Sequence, residues 1–186
     1  MANADTPRGF VPFRHRAGGV IRASDGYKIA SAYGTAIYTG DAVIFASGKI
    51  NVAAQDSGTI IGIFAGCQYR ASDGSVVFSN YWPASTVTLG SADADAFIFD
   101  DPWISYEVQT DTDTAYVDAP HKGNPYDIEL DHAGSAVTGQ SGMEIDLGDT
   151  GTGQFQVIGL INREGNAAGV NAKIEVIIQE ALVKGD

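Results

Sequence analysis

Three histidines, one cysteine and a surplus of carboxylates are the groups in this sequence that could do chemistry, and their spacing decides which chemistry. An acyl-transfer serine needs Gly-x-Ser-x-Gly on a strand-to-helix turn and a histidine base. The nearest string, Gly139-Gln140-Ser141-Gly142-Met143, lacks the final glycine and leads into a strand, so Ser141 reads as a turn residue. His15, His121 and His132 have no His-x-x-x-His spacing and Cys67 has no Cys-x-x-Cys partner, so neighbours along the chain do not close on zinc. Cys67 follows Gly66 in an apolar run without basic neighbours, the setting of a small buried thiol rather than a thiolate.

The carboxylates are the more open case. Asp111-Thr112-Asp113 and Asp118 offer oxygens to a hard cation, and so do Asp93-Ala94-Asp95 and Asp100-Asp101. None lies in an EF-hand frame with its central glycine and terminal glutamate, so all are read as solvated acidic loops. A pair of acids flanking a glycosidic bond leaves no signature in so acidic a chain. Gly148-Asp149-Thr150-Gly151-Thr152-Gly153 is dense in glycine, but it carries an acid and lies between strands, which makes it a turn and not a phosphate cradle. Tyr81, Trp82 and Trp103 could stack on sugars or bases, although aromatics in a β-rich chain more often fill a core or an interface. The expectation is a protein that is not an enzyme, with no catalytic, cofactor-binding or metal-ligating residue assigned and no cofactor.

The elements that would position these groups are short strands. The 23 glycines and many β-branched and aromatic residues favour strands with tight turns. Strands are expected over 33–38, 42–45, 59–68, 76–81, 96–99, 104–109, 115–117, 142–147, 155–161 and 172–179, with loops at 110–114 and 120–125. Ser24-Asp25-Gly26, Thr39-Gly40-Asp41, Ser47-Gly48, Asp56-Ser57-Gly58 and Ser72-Asp73-Gly74 supply the turns, together with Gly148 to Gly151. Ile174, Val176 and Ile178 alternate with Lys173, Glu175 and Ile177, and the 155–161 segment alternates similarly, so these two should pair antiparallel through a 162–171 connection. The only helix expected is a short one over 179–184. The fold class that follows is all-β: a compact antiparallel β-barrel or β-sandwich with an extended N-terminal arm over residues 1–26. A single β domain spans 27–186, with an acidic insertion or loop-rich subdomain over 91–126.

Charge is placed unevenly. Residues 1–28 hold five basic side chains against two acids, and the remainder holds six against 21. The net charge of −12 disfavours nucleic acid and anionic membrane as partners of the body. The lone cysteine allows no intramolecular disulfide, which fits folding in a reducing cytosol. Met1 to Asp5 do not open a signal peptide, and no apolar run approaches the roughly 18 residues of a membrane span, so a soluble product is expected. The arm carries Pro7, Gly9, Pro12, Gly18 and Gly19, which forbid a regular helix, and sets Phe10 and Phe13 beside Arg8, Arg14 and Arg16. That composition suits a docking segment, and equally suits aromatics tucked into the chain's own core.

The opening Met-Ala-Asn-Ala-Asp-Thr-Pro-Arg-Gly-Phe-Val-Pro-Phe-Arg-His resembles the start of a family of tailed-bacteriophage capsid decoration (cement) proteins. The likeness continues through Tyr38-Thr39-Gly40-Asp41-Ala42-Val43, Ile60 to Cys67, Phe155 to Leu160, and Asn166, Gly169 and Asn171 to Val176. The resemblance implies a virion structural protein on the outer capsid surface, synthesised in the host cytoplasm. Its partners would be the phage major capsid protein and itself, as homotrimers at threefold and local threefold positions that stabilise the expanded head. Arg8, Phe10, Phe13, Arg14 and Arg16 are the expected capsid-binding residues. Two alternatives remain: another virion component, such as a head fibre base or tail-associated protein, or a carbohydrate-binding or depolymerising module using Trp82, Trp103 and a pair of acids.

Overall fold

The computed structural model describes residues 3–55, 57–150 and 153–179. Its strands are β1 (Val11–His15), β2 (Ser24–Ile29), β3 (Ile37–Tyr38), β4 (Ala42–Ala46), β5 (Lys49–Val52), β6 (Gly62–Arg70), β7 (Val76–Ser79) and β8 (Tyr81–Trp82). They continue as β9 (Ala94–Phe99), β10 (Ile104–Gln109), β11 (Pro125–Glu129), β12 (Glu144–Thr150), β13 (Phe155–Leu160) and β14 (Lys173–Ile178). One sheet runs β1-β10-β14-β13-β11-β12 and a second β2-β9-β6-β4-β5, with β7 added to β6; β3 and β8 form a small pair. Every ladder between these strands is antiparallel. The all-β, sandwich-like class is therefore the observed one. Neither sheet closes into a barrel by a continuous ladder. Only a single parallel bridge from Thr110 to Ile145 links β12 back to the end of β10.

Period-2 alternation explains how one strand can serve two cores. On β4, Ala42 joins the cluster between the sheets while Val43 joins a second cluster; on β6, Ile63 and Phe64 divide in the same way. The first cluster is built on Tyr106, Val108, Ile128, Ile145, Phe155, Val157, Ile174 and Val176 of the first sheet. The second lies on the far face of the second sheet, where Ile37 and Trp82 of the β3-β8 pair close over Ile61, Phe64, Cys67 and Ile98. The β4-β5 hairpin turns on Ser47 (φ 53°) and Gly48 (φ 75°), two positive φ values in succession, as a two-residue turn matched to strand twist requires.

Several expectations change. Ser24-Asp25-Gly26 is not a turn but the start of β2, where the register slips between Ser24 and Tyr27; a bulge uses the same residues that a turn would. Pro125 opens β11, where the ring's fixed φ is tolerated in the first residue of a strand, and Asp118–His121 is a single helical turn. Gly148 to Thr150 belong to β12, while Asp56, Gly151 and Thr152 and the helix expected over 180–184 lie outside the described residues. Only Ile37–Tyr38 of the 33–38 segment is strand, and 115–117 makes one bridge, Tyr116 to Gly169. β5 was not anticipated. The acid-rich 91–126 stretch is no appended loop region, since its β9 and β10 occupy interior positions in the two sheets.

The N-terminal arm is part of the first sheet. β1 pairs with β10, and Phe10, just before it, is 1% exposed and stacked on Phe155 at 4.2 Å between ring centroids. Access depends on glycine: at Gly9 (φ +66°) a Cβ would lie 2.5 Å from the Gly40 carbonyl oxygen and 2.4 Å from Ser141 Cβ, while the Phe10 amide donates to that Gly40 oxygen at 2.9 Å. Phe10 is thus corrected from a partner-facing anchor to a core residue, because its ring gains more by burial against Phe155 than in water. Phe10→Ala should lower the unfolding free energy by about 3–5 kcal/mol. Phe13→Ala, at an exposed position within β1, should change it by about 0.5 kcal/mol or less. Urea denaturation of the two variants checks the contrast.

Candidate binding surface

The register of β10 and β14 sets Glu107 directly opposite Glu175, and both are buried, at 8% and 7% exposure. Like charges in that position repel, and burial removes the water that would screen them. Arginines resolve the conflict. Arg14, held on β1 opposite Ser105, grips Glu175 with two bonds of 2.7 and 2.8 Å. Arg163, from the β13-β14 connection, forms a second bidentate pair on Glu107, with one bond of 2.9 Å, and Arg8 stands 3.7 Å from the same carboxylate.

Arg8 and Arg14, expected as capsid-binding groups, are engaged by the chain's own glutamates, with about half of each side chain still exposed. The arm is basic because the sheet it covers is acidic. Phe13 (43% exposed) and Arg16 remain outward, and among the described residues neither Arg16 nor Arg22 has an ion-pair partner. The Arg16 amide donates to the Trp103 carbonyl at 2.8 Å, which extends the β1-β10 ladder and sets half-exposed Trp103 next to Arg16 at the start of β10, and Val20 in the loop beyond is 82% exposed. β1 ends its sheet, so this edge is unpaired among the described residues. Beside it, Arg8, Arg163 and Lys173 line an open cleft of about 290 Å³ together with Asn3, Asn166 and Asn171. Glu164 lines it too, and burial, with the two arginines, pushes the Lys173 pKa down.

A second junction ties down the start of the arm. His132 Nδ1 lies 2.7 Å from Glu144 Oε2 and Nε2 3.5 Å from Asp5 Oδ2, while the Gln109 amide donates to both carboxylates, at 2.8 Å to Glu144 and 3.0 Å to Asp5. Burial opposes the imidazolium, yet Glu144, Asp5 and Asp131 hold the His132 pKa above its ordinary range. Asp5, His132 and Glu144 each have one ligand atom within 4.8 Å of the others, as a metal centre would. In this structure the ring nitrogens pair with the two carboxylates as an ion-pair clasp.

The other chemically capable groups have structural roles. Ser141 Oγ accepts from the Met143 amide at 3.0 Å and hydrogen-bonds to buried Asp41, with none of the three histidines among its partners. Cys67 is buried, and burial pushes its thiol up to about 12. His15 meets Asp101 at 3.1 Å, and His121 lies between Tyr116 and Tyr126. The sugar platform is not assembled: Trp82 is fully buried against Tyr69, whereas Trp103 is half-exposed just before β10.

What the sequence reading missed is acid on one face of β11 and β12. Tyr126-Asp127-Ile128-Glu129 and Glu144-Ile145-Asp146-Leu147 alternate strictly, with the apolar members in the core, so the four acids share the opposite face. That alternation was the available signal. Burial, and then the charges of Asp111, Asp131 and Asp146, push Glu129 up to about 7; burial and Asp146 push Asp111 up to about 6, against the opposing Thr114 amide. No family model, curated protein or solved structure matches the chain.

Two measurements check this electrostatic layout. Arg14→Ala should destabilise by about 1–3 kcal/mol by leaving Glu175 uncompensated, whereas Arg16→Ala should cost about 0.5 kcal/mol or less, both read from urea unfolding. Between pH 4 and 7 the unfolded chain releases the Glu129 and Asp111 protons earlier than the native chain, whose values are about 7 and about 6. Stability must fall as pH rises through that window, and the raised His132 adds to the same trend. In metal-free buffer the melting temperature should be higher at pH 5.5 than at pH 8, and Glu129→Gln should flatten the profile.

Proposed function

We propose that the chain is a virion structural protein of a tailed phage, a decoration protein that binds the outside of the capsid lattice and stabilises the expanded head. The observation that carries this reading is the unpaired β1 edge strand, on which Phe13 and the uncompensated Arg16 are exposed, with half-exposed Trp103 next to Arg16 at the start of β10. Exposed aromatics on a free strand edge invite aggregation unless a partner covers them, and an aromatic-arginine combination is the usual composition of an interface centre. The neighbouring cleft, lined by Arg8, Arg163 and Lys173 as well as Glu164, offers polar groups to side chains on a shell.

A ligand that recognises only the expanded lattice stabilises that lattice by mass action. Assembly as homotrimers at threefold and local threefold positions would present three such edges at once, so modest contacts combine through effective concentration. The opening residues' resemblance to decoration proteins supports the same role. A head fibre base or tail-associated component would use the same edge at a different place in the virion.

Co-sedimentation with expanded heads of the encoding phage tests the proposal. Wild-type protein should pellet with the heads at saturating, symmetry-related stoichiometry. The Phe13→Ala/Arg16→Glu pair should bind at least tenfold more weakly while keeping the wild-type melting temperature. Wild-type protein left in the supernatant, or retention unchanged in the double variant, would overturn it.

A further inference from the structure

We propose that Asp5, His132 and Glu144 form a zinc site that fastens the start of the N-terminal arm to β12. Among the described residues, these are the three side chains whose ligand atoms, one from each, all lie within 4.8 Å of one another. The chain supplies them from three places. Glu144 opens β12, His132 lies in the loop before that strand, and Asp5 precedes β1. Glycine brings the loop close: a Cβ at Gly142 would lie 2.3 Å from the His132 carbonyl oxygen.

Charge balance argues for a divalent ion. Glu144 is 2% exposed, and its ion-pair partner among the described residues is His132, which it shares with Asp5. Two carboxylates against one imidazolium leave a net charge of −1, and the charge of Asp131 acts on the same ring. A doubly charged ion held by the two carboxylates and a neutral imidazole brings that sum to zero, which removes the cost of unbalanced charge at a buried carboxylate. The ion-pair clasp is then the metal-free form of the site.

Gln109 aims the two carboxylates. Its amide donates to Asp5 Oδ1 at 3.0 Å and to Glu144 Oε1 at 2.8 Å, while its own carbonyl oxygen accepts from the Thr6 amide at 3.1 Å. The remaining oxygens, Asp5 Oδ2 and Glu144 Oε2, are those nearest His132. A side chain that holds ligating carboxylates by their second oxygens is the kind of outer support that metal ligands have. Ligand atoms roughly 2.0–2.2 Å from a tetrahedral zinc stand about 3.4 Å apart. The contraction falls to Asp5 and His132, whose side chains are 40% and 41% exposed and free to adjust over the buried Glu144. One imidazole nitrogen with carboxylate oxygens suits Zn²⁺, with water in the fourth position, whereas Ca²⁺ and Mg²⁺ take oxygen ligands and gain nothing from the ring.

The test uses the full chain, stripped with EDTA, dialysed near pH 7.5 and titrated with zinc chloride by calorimetry and thermal melting. Wild-type protein should bind one Zn²⁺ per chain and melt at higher temperature as the site fills, with Ca²⁺ at least tenfold weaker. Asp5→Ala and His132→Gln, both at exposed side chains, should fold and bind Zn²⁺ at least tenfold more weakly. Asp101→Asn, at the separate pair that Asp101 makes with His15, should leave zinc affinity unchanged. Absence of a zinc-dependent melting shift in the wild type, or undiminished affinity in either Asp5→Ala or His132→Gln, would overturn the proposal and leave the clasp as an ion pair closed by a proton. Equal affinity for Ca²⁺, or weakened zinc binding in Asp101→Asn, would overturn it as well. The outcome is independent of the capsid reading.

Discussion

Two glutamates side by side in a sheet, Glu107 and Glu175, impose the constraint around which the N-terminal arm of the chain is arranged. They are buried and like-charged, so the first sheet needs guanidinium groups held over it. Arg14 can reach Glu175 only if β1 lies along β10, and β1 can lie there only if the chain before it passes the Gly9-Gly40 contact and sinks Phe10 against Phe155. Charge compensation, backbone approach and aromatic burial are one linked arrangement. The uneven charge along the sequence, basic at the start and acidic afterwards, is the one-dimensional trace of that pairing.

That linkage determines what is left for function. Arginines committed to the chain's own glutamates are positioning residues, and Phe13, Arg16 and Val20 stay exposed on and just beyond β1, with Arg16 outside every ion pair among the described residues. Edge strands with exposed aromatics are a hazard for an isolated protein and an asset for one that works by assembly. The opposite end of the same sheet has the reverse character, with acids from β11, β12 and the segment after β10 gathered where no arginine among the described residues forms an ion pair. One sheet therefore presents a cationic, aromatic edge and an anionic one.

How much of this was legible in the sequence depended on whether the signal was local. The β13-β14 pair was legible because Ile174, Val176 and Ile178 alternate without interruption and so face one core. Ser24-Asp25-Gly26 and Pro125 misled because glycine and proline punctuate bulges and strand starts as readily as turns. β5 was hidden by its brevity, four residues after a tight turn. The fate of Phe10 as against Phe13, and of Arg14 as against Arg16, was not local at all: it depends on Phe155 and Glu175, roughly 150 residues away in sequence. Asp111, Glu129 and Asp146 likewise share no motif, since register rather than spacing joins them.

The central claim is that the β1 edge is where this protein meets a shell, and a reconstruction of the virion with the chain traced tests it most directly. The account predicts density for the chain outside the capsid at threefold positions, with Phe13, Arg16 and Trp103 covered by capsid protein. A virion without the chain, or one in which that edge faces solvent, would contradict it.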